Sequence, residues 1–177
     1  MRYIKNGQIA ADPFVYVEGD EPVPADVPVI VAADWLLSAT AAQLESRSAP
    51  LGVAWPNDKP ESNLAPFLAQ LSLIALEFPV FRDGRAYTQA RQLRERHGFK
   101  GEIRATGDVL RDQFLFMVRA GFDAFEVRKD ADAEAFAQAL HEFTLSYQPA
   151  ADGPAHSFRS RLGSSFFSAN AKEPRDA

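Results

Sequence analysis

Leu73-Ile74-Ala75-Leu76-Glu77-Phe78 is a short apolar run broken by one acid and closed by Pro79. Beyond it, Ala86, Ala90, Leu93 and His97 fall at offsets 0, 4, 7 and 11, the period of a helix with one apolar face. The stretch therefore predicts a strand followed by a helix, and the same alternation recurs on both sides of it. Upstream, Val29-Ile30-Val31-Ala32 leads into a helix capped by Asp34. Leu51-Gly52-Val53-Ala54-Trp55 leads into one starting near Asn63, with Pro66 in its first turn, where a missing N–H is tolerated. Downstream, Glu102-Ile103-Arg104-Ala105 precedes the face Leu110, Phe114, Met117 and Gly121. Ala124-Phe125-Glu126-Val127 precedes Ala133, Phe136, Leu140 and Phe143. Gly98 and Gly121 stand where a left-handed cap would end a helix. About five βα units follow from this rhythm, so the expected class is α/β with a parallel sheet. Five units do not complete an eight-stranded barrel, which leaves an open sheet or a partial barrel.

The ends of the chain read differently. Arg2 to Lys5, Asn6-Gly7 and Gln8 to Ala11 predict a hairpin with a tight turn. Pro13, Pro22, Pro24 and Pro28 then punctuate an acidic, extended, solvent-facing linker. The expected division is 1–28 for hairpin and linker, 29–147 for the α/β domain and 148–177 for a disordered tail rich in Ser, Gly and Pro.

Composition removes several classes of function. The 177 residues carry a net charge of −5, which argues against a general nucleic-acid binder. No apolar run approaches the roughly 20 residues needed to span a bilayer, so no membrane partner is expected. The first residues turn polar too soon for a signal peptide, and a bacterial-type cytoplasmic location is expected. The absence of cysteine excludes disulfides, thiolate clusters and cysteine nucleophiles. His97, His141 and His156 lack metal-ligand spacing, and no metal is expected. Phosphate-loop, dinucleotide and serine-hydrolase motifs are also missing, and no cofactor is assigned.

In parallel α/β folds ligands gather at the carboxyl ends of the strands. That rule selects Glu77 to Tyr87, Arg104 to Asp108, and Glu126-Val127-Arg128-Lys129-Asp130. Strands buried on both faces are normally continuous Val, Ile and Leu, so Glu77, Glu102, Arg104 and Glu126 stand out. Each must be paired, as Glu77 with Arg104 would be, lie at a strand end, or line a wet cleft. Arginine outnumbers lysine 14 to 5, with eight of the fourteen between Arg82 and Arg119. A guanidinium forks onto carboxylate, phosphate or sulfur oxyanions. The sequence thus predicts an anion-binding cleft from Arg82, Gly84, Arg85, Arg104 and Gly107, with Tyr87, Asp112 and Gln113 in support. Asp83, Asp108 and Glu77 are the candidate acids or bases, although Asp83 and Asp108 equally suit helix capping. Gln113 is placed to reach a neighbouring loop. Arg91, Arg94 and Arg96 read as the solvated face of a helix.

At Phe81-Arg82-Asp83-Gly84-Arg85, Leu93-Arg94-Glu95-Arg96, Gly101 to Gln113 and Gly121-Phe122-Asp123-Ala124-Phe125, the chain resembles a bacterial family of unknown function. The likeness covers residues 29 to 147. Ala86, and Thr88 where Ser is usual, depart mildly from the pattern. Members of that family are typically encoded beside sulfite reductase and labelled as oxidoreductases of sulfite reduction. The resemblance implies an auxiliary protein of assimilatory sulfite reduction, with sulfite or a siroheme carboxylate as the anion. The alternative is a non-catalytic module that docks on sulfite reductase or helps assemble it. The docking alternative points to the acidic, proline-spaced arm and the Phe-containing tail, whereas the first reading needs Arg82, Arg85 and Arg104 to converge on one opening.

Overall fold

The computed structural model describes residues 2–5, 8–19 and 21–127. The expected helix over 133–143, the loop Arg128-Lys129-Asp130 and the expected tail lie outside them. Eight strands form one sheet: β1 (Arg2–Lys5), β2 (Gln8–Ala10), β3 (Val15–Tyr16), β4 (Val29–Ala32), β5 (Leu51–Trp55), β6 (Leu71–Phe78), β7 (Glu102–Gly107) and β8 (Ala124–Val127). Their spatial order is β2-β1-β8-β7-β6-β5-β4-β3. The pairings from β3 to β8 are parallel, while β1 runs antiparallel to β2 and β8.

The sheet is open and curled into a half-barrel, and one hydrogen bond shows by how much. Tyr16 on β3 donates to Glu126 on β8 at 2.6 Å. These strands are five places apart in the order, a separation of about 24 Å if the sheet were flat. Curling brings the far edge back over the inner face.

Strand alternation sorts side chains between the two faces. On the outer face Val29, Val31, Val53, Trp55, Ile74, Leu76, Ile103 and Phe125 join one core with the helices. The helices are α1 (Ala33–Ser38), α2 (Ala41–Glu45), α3 (Arg85–Glu95) and α4 (Phe114–Ala120). The inner face holds Ile30, Leu73 and Ala75 with Phe14 and Ala54. Leu71 and Leu73 point to opposite faces although two residues apart, because the β5–β6 register shifts after Leu51.

The apolar periods locate α3 well: Ala86, Ala90 and Leu93 are fully buried. Gly98 and Gly121 have φ of 64° and 109°, and Gly121 ends α4 in the left-handed conformation. Other expectations need correction. Asp34 lies in the first turn of α1 rather than at its cap, which is Ala32. The crossover after β5 is a 3₁₀ helix, Glu61–Phe67, with Pro66 inside it. Leu110 precedes α4 and is 37% exposed, so it is not part of that buried face. The acidic linker is not wholly solvent-facing, since Phe14 packs on the inner face and Val15–Tyr16 extend the sheet. Among the described residues no helix is long and apolar enough to cross a membrane.

Candidate functional site

The strand-end rim is built from two loops tied together. Gly107 closes β7 with φ of 88°, and a Cβ there would run into the carbonyl oxygen of Phe78. Glycine thus lets the β7 backbone approach β6, and the Asp108 amide donates to the Phe78 carbonyl at 2.7 Å. Asp108 Oδ2 accepts from the Phe81 amide at 3.1 Å, and Gln113 Nε2 donates to the Phe81 carbonyl at 2.8 Å. Both polar groups of one peptide residue are therefore held from the neighbouring loop. Asp108 pins that loop rather than capping the helix after it.

Asp83 and Arg85 form a closed local pair. Arg85 donates from Nε and Nη2 to Asp83 at 3.0 and 2.7 Å, and its amide also donates to Asp83 Oδ1 at 3.3 Å. The hydrogen bond from Arg85 holds the Asp83 carboxyl well below the usual carboxylate range. Arg82 is exposed, and Gly84 caps α3 with no side-chain hydrogen bond. Tyr87 is half-buried with its ring edge-on to Phe78 at 5.2 Å. Burial and the charge of Asp112 push its hydroxyl up to about 12, so it stays protonated at neutral pH. Asp112 is exposed beside it, in the short 3₁₀ turn that also carries Gln113.

Arg104 is elsewhere. It points to the inner face with no solvent exposure, and among the described residues three carboxylates surround it. Nε donates to Glu102 at 3.0 Å and Nη1 to Glu126 at 2.9 Å, while Asp12 takes Nη1 and Nη2 at 2.6 and 2.9 Å. The Tyr3 ring lies 4.4 Å from the guanidinium carbon. Tyr3 and Tyr16 donate to Glu102 and Glu126, and Lys5 adds an ion pair to Glu102 at 2.9 Å. Burial alone would push the guanidinium down, but its carboxylate partners overcome that and raise it. Both tyrosines are raised by burial first and by the carboxylate each one contacts second.

The expected meeting of Arg82, Arg85 and Arg104 at one opening is thus not what the fold builds. Arg85 is engaged in the rim loop, and Arg104 is engaged within the sheet. Glu77 is exposed at its strand end, in register with Thr106, and Arg104 has taken other partners. Sequence reasoning missed Asp12, Tyr3 and Tyr16, which lie 92 to 110 residues from the partners they meet. It also misread Arg94, which is no solvated side chain. Arg94 donates to the carbonyls of Gly121, Phe99 and Gly101 and pairs with Asp123. Arg91 does pair along the exposed helix face with Glu95. Among the described residues no group of three or more His, Cys, Asp and Glu side chains is placed to hold a metal ion.

The rim also exposes apolar side chains. Val80 and Phe81 are 47% and 49% exposed, Leu110 37%, and Phe116 on α4 66%. Away from it, a groove of about 690 Å³ lies between residues 19–25 and the α1–α2 pair, with Trp35 and Arg47 in its lining. Arg47 is committed to the carbonyls of Pro24 and Val27, so it ties the linker down.

The model of a bacterial protein family of unknown function, DUF934, matches residues 52–158. That is more than half of the 177 residues, and the chain belongs to this family. None of the curated proteins matches it.

Proposed function

We propose that this member of the DUF934 family is a cytoplasmic accessory protein of assimilatory sulfite reduction that acts by docking on sulfite reductase. The pathway and the partner rest on the resemblance carried by the stretches between Phe81 and Phe125. The mode of action rests on the rim. Phe81 is exposed on backbone that the Asp108 and Gln113 side chains hold in place, with exposed Val80 preceding it and exposed Leu110 held through its carbonyl by the Gln113 amide. Apolar side chains presented on a fixed loop lose little freedom when a partner covers them, which favours association. The candidate acids support this reading, because Asp83 and Asp108 are spent on loop structure.

Co-purification with sulfite reductase tests it. The doubly substituted Phe81→Ser, Leu110→Ser protein, folded by circular dichroism, should lose retention of the reductase. Undiminished retention overturns docking through this surface.

An oxidoreductase with an oxyanion cleft is the second reading, favoured by the exposed Arg82 near the start of α3, where the Gly84 cap has no side chain to offer. It predicts thermal stabilisation by sulfite, sulfate or phosphate that Arg82→Ala removes. Stabilisation of this kind with undiminished retention would select it over docking.

A further inference from the structure

Of the three carboxylates on Arg104, Glu102 and Glu126 belong to the sheet, whereas Asp12 arrives on a segment crossing the inner face between β2 and β3. The guanidinium is divided accordingly. Glu102 takes Nε and Glu126 takes one hydrogen of Nη1. Asp12 spans Nη1 and Nη2 with both oxygens, the fork on which arginine binds a carboxylate ligand. Asp12 also keeps 26% of its side chain exposed, so the forked pair lies on the outward side of the cluster.

Phe14, two residues on, packs against the cluster of Ile30, Leu73 and Ala75, with its ring 5.9 Å from the guanidinium carbon. The floor beneath the crossing segment sets Ile30 and Leu73 among the small residues Ala54, Ala75 and Gly52. At Gly52 even a Cβ would come within 3.0 to 3.3 Å of Leu73 and Ile30. The segment is held to β4 by a short pairing, the two residues of β3 and the Val17 amide on Ile30, and Val15 and Tyr16 there are 57% and 39% exposed.

We infer that this inner face is a binding site for a monoanionic carboxylate joined to an aromatic ring, and that Asp12 and Phe14 are its internal occupant. The charge balance sets the class of ligand. Without Asp12, Arg104 and Lys5 offset Glu102 and Glu126, so the vacated fork accepts one negative charge and regains the state Asp12 maintains. A dianion such as phosphate would leave a second charge uncompensated beside two glutamates. This site is separate from the rim and stands independently of docking there.

The test uses the full chain carrying Asp12→Ala and Phe14→Ala, with folding checked by circular dichroism and binding by calorimetry. Removing an internal competitor should tighten 3-phenylpropionate binding by about tenfold or more relative to the unsubstituted protein. The neutral 3-phenylpropionamide should not bind, because it cannot take the fork. A folded double variant that binds the acid no better than the unsubstituted chain overturns the inference, as does equal binding of the amide. If the double variant does not fold, Asp12→Ala alone carries the test. Formate should then raise the melting temperature of Asp12→Ala and not that of the unsubstituted chain. Equal response of the two proteins to formate overturns the inference.

Discussion

Arg104 shows why a buried charge in a strand is a commitment of several residues at once. Its removal strands Glu102, Glu126 and Asp12 with no cation to share, and Lys5 reaches only Glu102. Arg104→Met should therefore cost about 3–5 kcal/mol in urea denaturation, as breaking a buried pair from one side does. Arg104→Lys should not restore it, because an ammonium cannot serve three carboxylates from three nitrogens in one plane. A loss under about 1 kcal/mol for Arg104→Met would show that the cluster is a surface pair in disguise.

The tyrosines give a second expectation at this scale. Tyr3, Tyr16 and Tyr87 are all raised from 10.0, Tyr87 to about 12. A raised group stabilises the fold fully below its unfolded value and loses that contribution as the pH climbs through its folded one. Stability should thus fall from about pH 10 upwards, with tyrosinate absorbance at 295 nm appearing together with unfolding. Ionisation of Tyr3 and Tyr16 well before unfolding would contradict their bonds to Glu102 and Glu126. The sequence did expose half of this cluster, because Glu102, Arg104 and Glu126 interrupt runs that burial should make apolar. Asp12 and Tyr16 carried no such sign. They lie in a Pro-spaced stretch whose polarity suits solvent just as well.

Elements were easier to read where one periodic face meets one core. The α3 face at Ala86, Ala90 and Leu93 is buried as its spacing requires, and all five expected strand runs are strands. Helix starts were harder, since a capping acid and a loop-pinning acid look alike before the loop is closed. Asp108 is the example, because its partner amide is 27 residues back.

The glycines at element ends permit a direct comparison. Gly98 has φ of 64° with open space where an added methyl group would stand, so Gly98→Ala should cost about 1–2 kcal/mol of backbone strain. Gly107 adds a collision with the Phe78 carbonyl, so Gly107→Ala should cost distinctly more in the same denaturation assay. Equal costs would mean that the β6–β7 ends can part freely. The rim loop also carries an acid response. Asp83 is held below its ordinary value of 3.8 by Arg85, so its contribution is present above that pH and lost as the pH falls further. Asp83→Asn should flatten the acid limb of the stability profile, and an unchanged limb would place the acid sensitivity elsewhere.

At the scale of the whole molecule, the choice between open sheet and partial barrel was invisible in the strand rhythm, because the curl is set by contacts rather than by period. Residues 2–5 and 8–16 impose it. They pair along β8 through β1, cross the inner face at Asp12 and Phe14, and pair along β4 through β3. The rim residues Phe81 and Leu110 and the inner-face residues Asp12 and Phe14 lie on different segments, so separate substitutions test the two proposals.

That wrapping has a temporal consequence. Tyr3 must wait for Glu102, Asp12 for Arg104 and Tyr16 for Glu126. β1 can pair with β2 early, but it finds no place in the main sheet until β8 has been made. Such long-range closure slows folding, and it leaves an unpaired strand edge open to other chains meanwhile.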